Sequence, residues 1–339
     1  MENTDAPRTY DIYRILNLFE RLNKGEVLSK ESLSQQYNVN EKTVERDIKK
    51  LRNYLQEYYQ KDDSLPYDRQ KNGYVLQEKV WGYQTNQQIL AAAKILLESR
   101  AFSREEISIL IENLVFSATP EQRQKIREML RNELYHYQEP QHRRPLFELI
   151  WQLSDAIFRQ RVIDFQYTRQ DGTKQPHTAL PLAIMFSEYY FYLIVIYLKE
   201  DLDKGKMVPL NPKQKYPVIL RLDRLENISV TGKKYIHPYS QRFEAGELRK
   251  RIQFMYGGEM MSVTFRFWGS SIEAVRDRLP LATVSKQPDG KYLVQAEVFG
   301  DGIKMWLFSQ LDKIEVLKPL ELREEMKQIA ERIAEIYKA

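Results

Sequence analysis

Cysteine is absent from the 339 residues, which excludes disulfides, thiolate metal sites and cysteine nucleophiles. That absence fits a reducing compartment, so a cytoplasmic location is expected. Histidine is nearly absent too. His136, His142, His177 and His237 are the whole set, and none sits in an H-E-x-x-H or similar ligand spacing. The chain has no P-loop, no G-x-S-x-G and no G-x-G-x-x-G. Gly257-Gly258 precedes an alternating stretch rather than opening a helix, so it reads as a turn. With these absences we expect no catalysis, no metal and no cofactor. No apolar run approaches the ~20 residues of a membrane span. The polar start MENTDAP does not read as a signal peptide, so no membrane partner is expected. A large charge excess is also missing. The formal net charge is +5, and residues 1–80 hold 14 Lys/Arg against 14 Asp/Glu. That balance argues against indiscriminate nucleic-acid binding and favours locally placed contacts.

What is present is length and apolar content for two or three domains, with 42% hydrophobic residues. The stretch NEKTVERDIKKLRNYLQEYY, residues 40–59, is the most informative. Val44, Ile48, Leu51, Leu55 and Tyr58 recur at three-and-four spacing and stay within roughly 40° of one direction on a helical wheel. Lys42, Arg46, Lys49 and Asn53 gather opposite, with Glu41, Glu45 and Asp47 on the flanks. Asp47 lies nearer the core side, as a structural partner rather than a base reader. Such a helix suits a DNA groove, although a surface helix with solvated charges would show the same pattern.

The flanking segments decide between those readings. Ile12, Ile15, Leu16, Phe19 and Leu22 mark an earlier helix over Tyr10–Leu22. Ser29 caps a short second one through Leu33 and Tyr37, and Asn40 caps the basic helix. Two short helices joined by Asn38-Val39-Asn40 make a helix-turn-helix. Downstream, Asn72-Gly73 is a type I′ hairpin signal, with Arg69 and Lys71 at the tip of a wing that can touch phosphate. The run LSQQYNVNEKTVERDIKKL, followed by GYVL, resembles the winged-helix start of DeoR-like bacterial regulators and their V-S-x-R-T-I-x-R-D-I-x-x-L recognition helix. Asn40 stands where that family has serine, and Glu41-Lys42 where it often has a pair ending in arginine, so base preference does not carry over. The resemblance implies that Thr43, Arg46 and Lys50 face DNA.

Beyond a connector at Trp81–Asn86, helical spacing continues through Ile89, Ala92, Ala93, Leu96 and Leu97, then Ile107, Leu110, Ile111 and Leu114, then Ile126, Met129, Leu130 and Leu134. A further helix follows over Arg144–Gln160. This region is read as a linker that either joins subunits or acts as a rigid spacer. From Val162 the period changes to strand alternation, with a hairpin turn at Gln170–Thr173. Two strand-like pieces surround Pro181, a continuous apolar run covers Tyr189–Leu198, and a polar loop leads to a strand over Val218–Leu225. Short strands at this spacing suggest a small curled sheet or barrel.

Phe191-Tyr192-Leu193, Leu220-Arg-Leu-Asp-Arg-Leu225 and Asp164-Phe-Gln-Tyr167 resemble, in order and spacing, the motifs of the WYL domain of bacterial transcription factors. Phenylalanine replaces the name tryptophan, and Glu188-Tyr-Tyr replaces the glycine common just before it. The resemblance covers Val162–Tyr235. It implies an Sm/SH3-like barrel, a nucleic-acid or nucleotide-like ligand, and Tyr167, His177, Ser187 and Tyr192 around the pocket. Some WYL regulators accompany phage-defence genes. Strands, helices and the ending V-L-x-P-x-x-L-R after Met261 resemble, as β-α-β-α-β, the C-terminal extension that follows WYL domains.

Arg221 and Arg224 are the candidate anion ligands, since a guanidinium presents a planar fork of donors to phosphate or carboxylate. Strand alternation puts Arg221 and Asp223 on one face and Arg224 on the other, unless the strand ends or bends near Asp223. The alternative is an Arg–Asp network that fixes the sheet. For Tyr167 and Tyr192 the alternative is core packing, and for His177 an ordinary satisfied histidine.

The expected protein is a multidomain α+β chain. A winged helix-turn-helix spans 1–80, a helical linker 81–160, a WYL sensor 161–238 and an α/β sandwich-like extension 239–339. Its expected function is ligand-responsive regulation of transcription, as repressor or activator, by a homodimer on a double-stranded, pseudo-palindromic operator. Lys42, Thr43, Arg46, Lys49, Lys50, Arg69 and Lys71 contact DNA, while Tyr167, His177, Ser187, Tyr192, Arg221 and Arg224 contact a single-stranded nucleic acid or nucleotide ligand. RNA binding without a defined duplex site is the competing class.

Overall fold

The computed structural model describes residues 6–59, 65–77, 84–201, 203, 205–211, 216–235 and 245–338. Half of the connector expected at Trp81–Asn86, part of the polar loop before Val218, and His237 lie outside that set. The chain divides into two compact units, one of residues 1–98 with 107–137 and one of 99–106 with 138–339.

In the first unit, α1 (Ala6–Asn23), α2 (Lys30–Tyr37) and α3 (Glu41–Tyr59) enclose a core of Leu18, Leu22, Leu33, Val44, Ile48, Leu51 and Leu55. Burying each such aliphatic side chain stabilises by about 1.5–3 kcal/mol. Local chemistry sets the helix ends. The Ser29 hydroxyl accepts from Ser32 N–H at 3.1 Å, and Asn38 closes α2 in the left-handed region at φ 50°. Asn40 Oδ1 accepts from Thr43 N–H at 2.8 Å, the N-cap expected from sequence.

Two sequence expectations shift. The buried stripe of α1 runs through Arg14, Leu18 and Leu22, leaving Ile12 and Leu16 exposed, because the Arg14 guanidinium turns inward to meet Asp47. Tyr58 is 68% exposed, since the core ends one turn earlier, and its ring meets Tyr54 at a 36° tilt, 5.1 Å between centroids.

A hairpin of β1 (Tyr67–Asp68) and β2 (Gly73–Tyr74) follows. Its turn differs from the two-residue type I′ expected at Asn72-Gly73. Asp68 pairs with Gly73 across a four-residue loop, Asn72 alone takes positive φ, and Asp68 Oδ1 accepts from Gln70 and Lys71 N–H. Gly73 is needed for close approach, because a Cβ there would lie 2.7 Å from Val27 Cγ1 and 2.9 Å from the Leu28 carbonyl. Leu28 and Tyr74 exchange backbone hydrogen bonds at that crossing. Helices α4 (Asn86–Ser99), α5 (Arg104–Phe116) and α6 (Pro120–Tyr135) follow. They bury Ile89, Ala93 and Leu97, then Ile107 and Ile111, then Ile126 and Leu130.

The second unit starts its regular structure with α7 (Phe147–Phe158). Sequence reading grouped this helix with the linker. Its Leu149, Leu153 and Ala156 instead share a core with Ile163, Phe165, Leu193, Val195, Leu220 and Leu222 of the following sheet. That sheet contains β3 (Arg161–Thr168), β4 (Lys174–Ser187), β5 (Tyr190–Asp201), β6 (Lys206–Pro209), β7 (Val218–Arg221) and β8 (Leu225–Lys234). Its order is β6-β5-β4-β3-β8, with β7 also on β5. All pairs are antiparallel.

The expected barrel is not closed among the described residues. A 3-10 turn at Leu222–Arg224 cuts the single strand predicted over Val218–Leu225. The chain then leaves β5 as β7 and returns to β3 as β8, with the turn rather than a ladder joining the two edges. Strand β6 was missed because it lies in a polar loop.

The apolar run in β5 has a reason in packing: Leu193 and Val195 face α7, while Ile194 faces α8 (Ala245–Arg251). A strand covered on both faces reads as continuous hydrophobics. In β4 a register shift between Pro181 and Ala183 reverses the parity. Ala179 packs toward α7 before it, and Ala183 and Met185 toward α8 after it.

The C-terminal part contains β9 (Met260–Phe267), α9 (Ile272–Arg278), β10 (Thr283–Lys286), β11 (Tyr292–Phe299), α10 (Gly302–Ser309), β12 (Ile314–Lys318) and α11 (Leu320–Ile336). The sheet order β10-β11-β9-β12 is antiparallel throughout. With its helices it forms the split β-α-β-β-α-β topology. The expected β-α-β-α-β lacked β10, which is short and polar. Val263, Phe265, Val294, Val298, Ile303, Leu307 and Leu322 form its core. Eleven α-helices are present among the described residues, and none is long and apolar enough to cross a membrane.

Candidate functional site

On α3 the buried and basic faces separate as expected. Lys42, Arg46, Lys49 and Lys50 are exposed and Thr43 is half-buried. Thr43 donates its hydroxyl to Asn40 Oδ1 at 2.9 Å, which ties it to the cap. The acidic neighbours are occupied elsewhere. Asp47 is 1% exposed and accepts from Arg14 Nε at 2.6 Å, and Lys50 Nζ stands 4.0 Å from its other oxygen. Glu45 pairs with Lys30 of α2, and that ammonium holds the Glu45 carboxyl below the usual carboxylate range. Withdrawing these two carboxylates leaves Lys42, Arg46 and Lys49 without an ion pair among the described residues. Arg69 and Lys71 are exposed in the β1–β2 loop, with Lys71 Nζ 3.9 Å from Asp68.

The second unit holds a cleft of about 770 Å³ beside the paired ends of β5 and β7. Tyr192 lies directly opposite Arg221 across that ladder. Residues two apart share a strand face, which brings Tyr190 and Tyr192 together with Ile219 and Arg221. Five aromatic residues line the cleft, Tyr190, Tyr192, Tyr216, Phe254 and Tyr256, with Arg221, Glu259 and Gln170 as its polar members. The wall at 254–258 packs backbone to backbone against the turn after β11. Gly300 is required there, at φ 79° with a Cβ position 2.1 Å from the Tyr256 carbonyl.

Arg221 is held on three sides. Its Nε and Nη2 donate to the Asp223 carboxylate at 3.0 and 2.8 Å, its Cζ lies 3.4 Å from the Tyr190 ring centroid, and its backbone N–H points at the Tyr167 hydroxyl, 3.4 Å away. Burial pulls the Arg221 pKa down, but the hydrogen bonds and charge of Asp223 outweigh it and the net direction is up. Two of the five guanidinium N–H groups are thus used, and three remain for an anion. The same geometry fixes the sheet edge, so the two alternatives for Arg221 coexist. Burial also raises the Tyr192 hydroxyl, with Arg221 opposing, so the phenol stays a neutral donor.

Behind Tyr190 stands His142, ring to ring at 6.2 Å. Its Nδ1 accepts from Arg144 N–H at 2.9 Å, and its buried Nε2 has no hydrogen-bond partner among the described residues. Burial lowers its pKa. Arg144 anchors the turn itself, donating to the Leu225 and Asp223 carbonyls. Glu106, 4% exposed, accepts from Leu146 and Phe147 N–H at 2.6 and 2.7 Å and so caps α7.

Of the six sequence candidates, Arg221 and Tyr192 line the cleft and Tyr167 of β3 contacts the Arg221 backbone through its hydroxyl. His177, Ser187 and Arg224 are not among its lining residues. His177 stacks on Tyr197 at 4.4 Å and 15°, and burial lowers its pKa. Ser187 is buried beside Glu188, which takes the left-handed φ of 56° that glycine adopts without strain. Arg224 ends the 3-10 turn. The strand does end near Asp223, as pocketing both arginines requires, yet only one of them reaches the cleft. Phe254, Tyr256 and Glu259 escaped the sequence reading, because they lie in the irregular segment between α8 and β9. The adjacent Gly257-Gly258, taken only as a turn, was their one signal.

Two family models match the sequence: the WYL domain over residues 148–230 and the WCX domain over 259–334. The first takes in α7. No curated protein sequence matches. Similar solved structures include proteasome accessory factor B/C (PafBC) of Arthrobacter aurescens, 14% identical, covering 92% of this chain and 46% of that one, with a TM-score of 0.32. The present chain thus spans about half the length of that relative. Another is described as a CRISPR Cas-related protein, 17% identical, covering 82% of this chain and 76% of that one, with a TM-score of 0.34. The chain carries a WYL domain followed by a WCX domain.

Proposed function

We propose that the protein is a ligand-responsive DNA-binding transcriptional regulator, without enzymatic activity. Helices α1–α3 and the β1–β2 hairpin act as a DeoR-like winged helix-turn-helix, and the curled sheet acts as an Sm-like sensor. The single observation that carries this reading is the ridge of Lys42, Arg46 and Lys49 on α3, from which Asp47 and Glu45 are withdrawn into ion pairs with other helices. A basic ridge with Asp47 and Glu45 engaged elsewhere suits a duplex major groove, with Lys50, Arg69 and Lys71 on flanking phosphates. Acting as a homodimer, two α3 helices enter successive grooves about 34–36 Å apart on a pseudo-palindrome.

The cleft at Arg221 is the sensor in this reading. Its aromatic walls and half-used guanidinium suit an anionic, nucleotide-like ligand, with stacking on tyrosine and charge-assisted hydrogen bonds to phosphate. Ligand acts by binding two arrangements of the protein unequally. A difference of about 1–3 kcal/mol changes operator affinity roughly 5–150-fold. The test is a footprint of the intact protein on genomic fragments at moderate salt. We expect one or a few protected pseudo-palindromes. Equal affinity for genomic and random duplex refutes the proposal.

A further inference from the structure

The cleft wall at Phe254 and Met255 is flanked by two arginines with no carboxylate partner among the described residues. Arg278, the last residue of α9, places its Cζ 4.5 Å from the Phe254 ring centroid. Its Nε is buried with no hydrogen-bond acceptor among the described residues. Arg249 of α8 reaches Met255 Sδ with Nη1 at 3.9 Å and is otherwise exposed. Phe254 and Met255 both line the cleft and both take left-handed φ, 51° and 56°. Two successive side-chain-bearing residues in that region are strained, and such strain collects at ligand sites. Arg278 is held below the usual arginine pKa by burial and by Arg249, with only Glu188 opposing. A half-buried guanidinium kept company by a ring and a like charge lacks the anion that would compensate its desolvation.

We infer that Arg278 and Arg249 form a second anion subsite at the Phe254 wall, so that the ligand carries at least two phosphate groups with a stackable ring between them, as in a dinucleotide. Arg221 holds one phosphate and the Arg278–Arg249 pair the other. This inference rests on the ligand cleft proposed above and adds a minimum length to its occupant. Glu188 stands as a repelling charge near the second phosphate and limits its affinity.

The experiment is isothermal titration calorimetry of the full chain with thymidine 5′-monophosphate and with the 5′-phosphorylated thymidine dinucleotide. We expect R278Q and R249Q each to weaken dinucleotide binding about tenfold and to leave the mononucleotide within about twofold. We expect E188Q to strengthen the dinucleotide. Arg249 is exposed, so R249Q tests the subsite even if R278Q perturbs folding. Wild-type dinucleotide affinity in both arginine variants overturns the subsite. If R221Q then still abolishes mononucleotide binding, the cleft stands without it. Failure of both nucleotides to bind the wild-type chain overturns both.

Discussion

Replacing Asp47 by alanine separates a structural role from a base-reading one. The carboxylate is 1% exposed and the Arg14 that it accepts from is 7% exposed, at 2.6 Å from Nε to Oδ2. Removing one partner of a buried pair costs about 3–5 kcal/mol, because the other charge is left without compensation. Arg14 retains Asp11 at 2.8 Å, a partner whose side chain is 48% exposed, so we take the low end, about 3 kcal/mol. That equals roughly a 150-fold change in a local opening equilibrium. Amide exchange of α1 and α3, followed by mass spectrometry of the full chain, reads it directly. The variant should exchange in these helices about 150-fold faster, with protection in the second unit unchanged. The double variant Asp47→Leu with Arg14→Met removes both charges and should recover most of the protection. If Asp47 is purely structural, the double variant should also keep wild-type operator affinity. A change below about fivefold in the single variant refutes the buried-pair account. Lost DNA binding in a well-protected double variant would make Asp47 a contact residue.

Arg46→Ala should weaken operator binding by about 1–3 kcal/mol if it reads a base, measured by gel shift; unchanged affinity removes it from the interface. Arg221→Gln should abolish the ligand response in the same assay while leaving ligand-free DNA binding intact, and a fully responsive variant removes the cleft from sensing. Stability should fall with acidification below about pH 6.5. Burial holds the folded pKa of His142 and of His177 below the unfolded value. The unfolded chain therefore takes up the proton first, and the loss continues until the folded pKa is reached. His142→Gln should shrink the difference in denaturation midpoint between pH 7.5 and 5.5, and an unchanged difference sinks the assignment. Gly300→Ala, at φ 79° and 2.1 Å from the Tyr256 carbonyl, should lower the melting temperature and weaken nucleotide binding together. A wild-type melt would show that the wall tolerates displacement.

The α3 stripe was legible because a single period of 3.6 residues governs it, and its caps at Ser29 and Asn40 are encoded within three residues. Strand positions around Phe191 and Leu220 were legible for a similar reason, since alternation and order are local. The inward turn of Arg14 was not, because its partner Asp47 is 33 residues away. Nor was the change of face in β4, where one bulged residue reverses every side chain after it.

Spacing and residue type alone set where most helices and strands lie and which face of α3 is basic. Those are properties of short windows, written in spacing and residue type. Packing in three dimensions locks Arg221 against Asp223 and Tyr190, leaves Arg224 outside the cleft, and brings Phe254 and Tyr256 to its wall. These outcomes depend on a 3-10 turn and on an irregular segment clamped against Gly300. No repeating pattern encodes such contacts, because they form between segments far apart in the chain and are fixed by packing rather than by period.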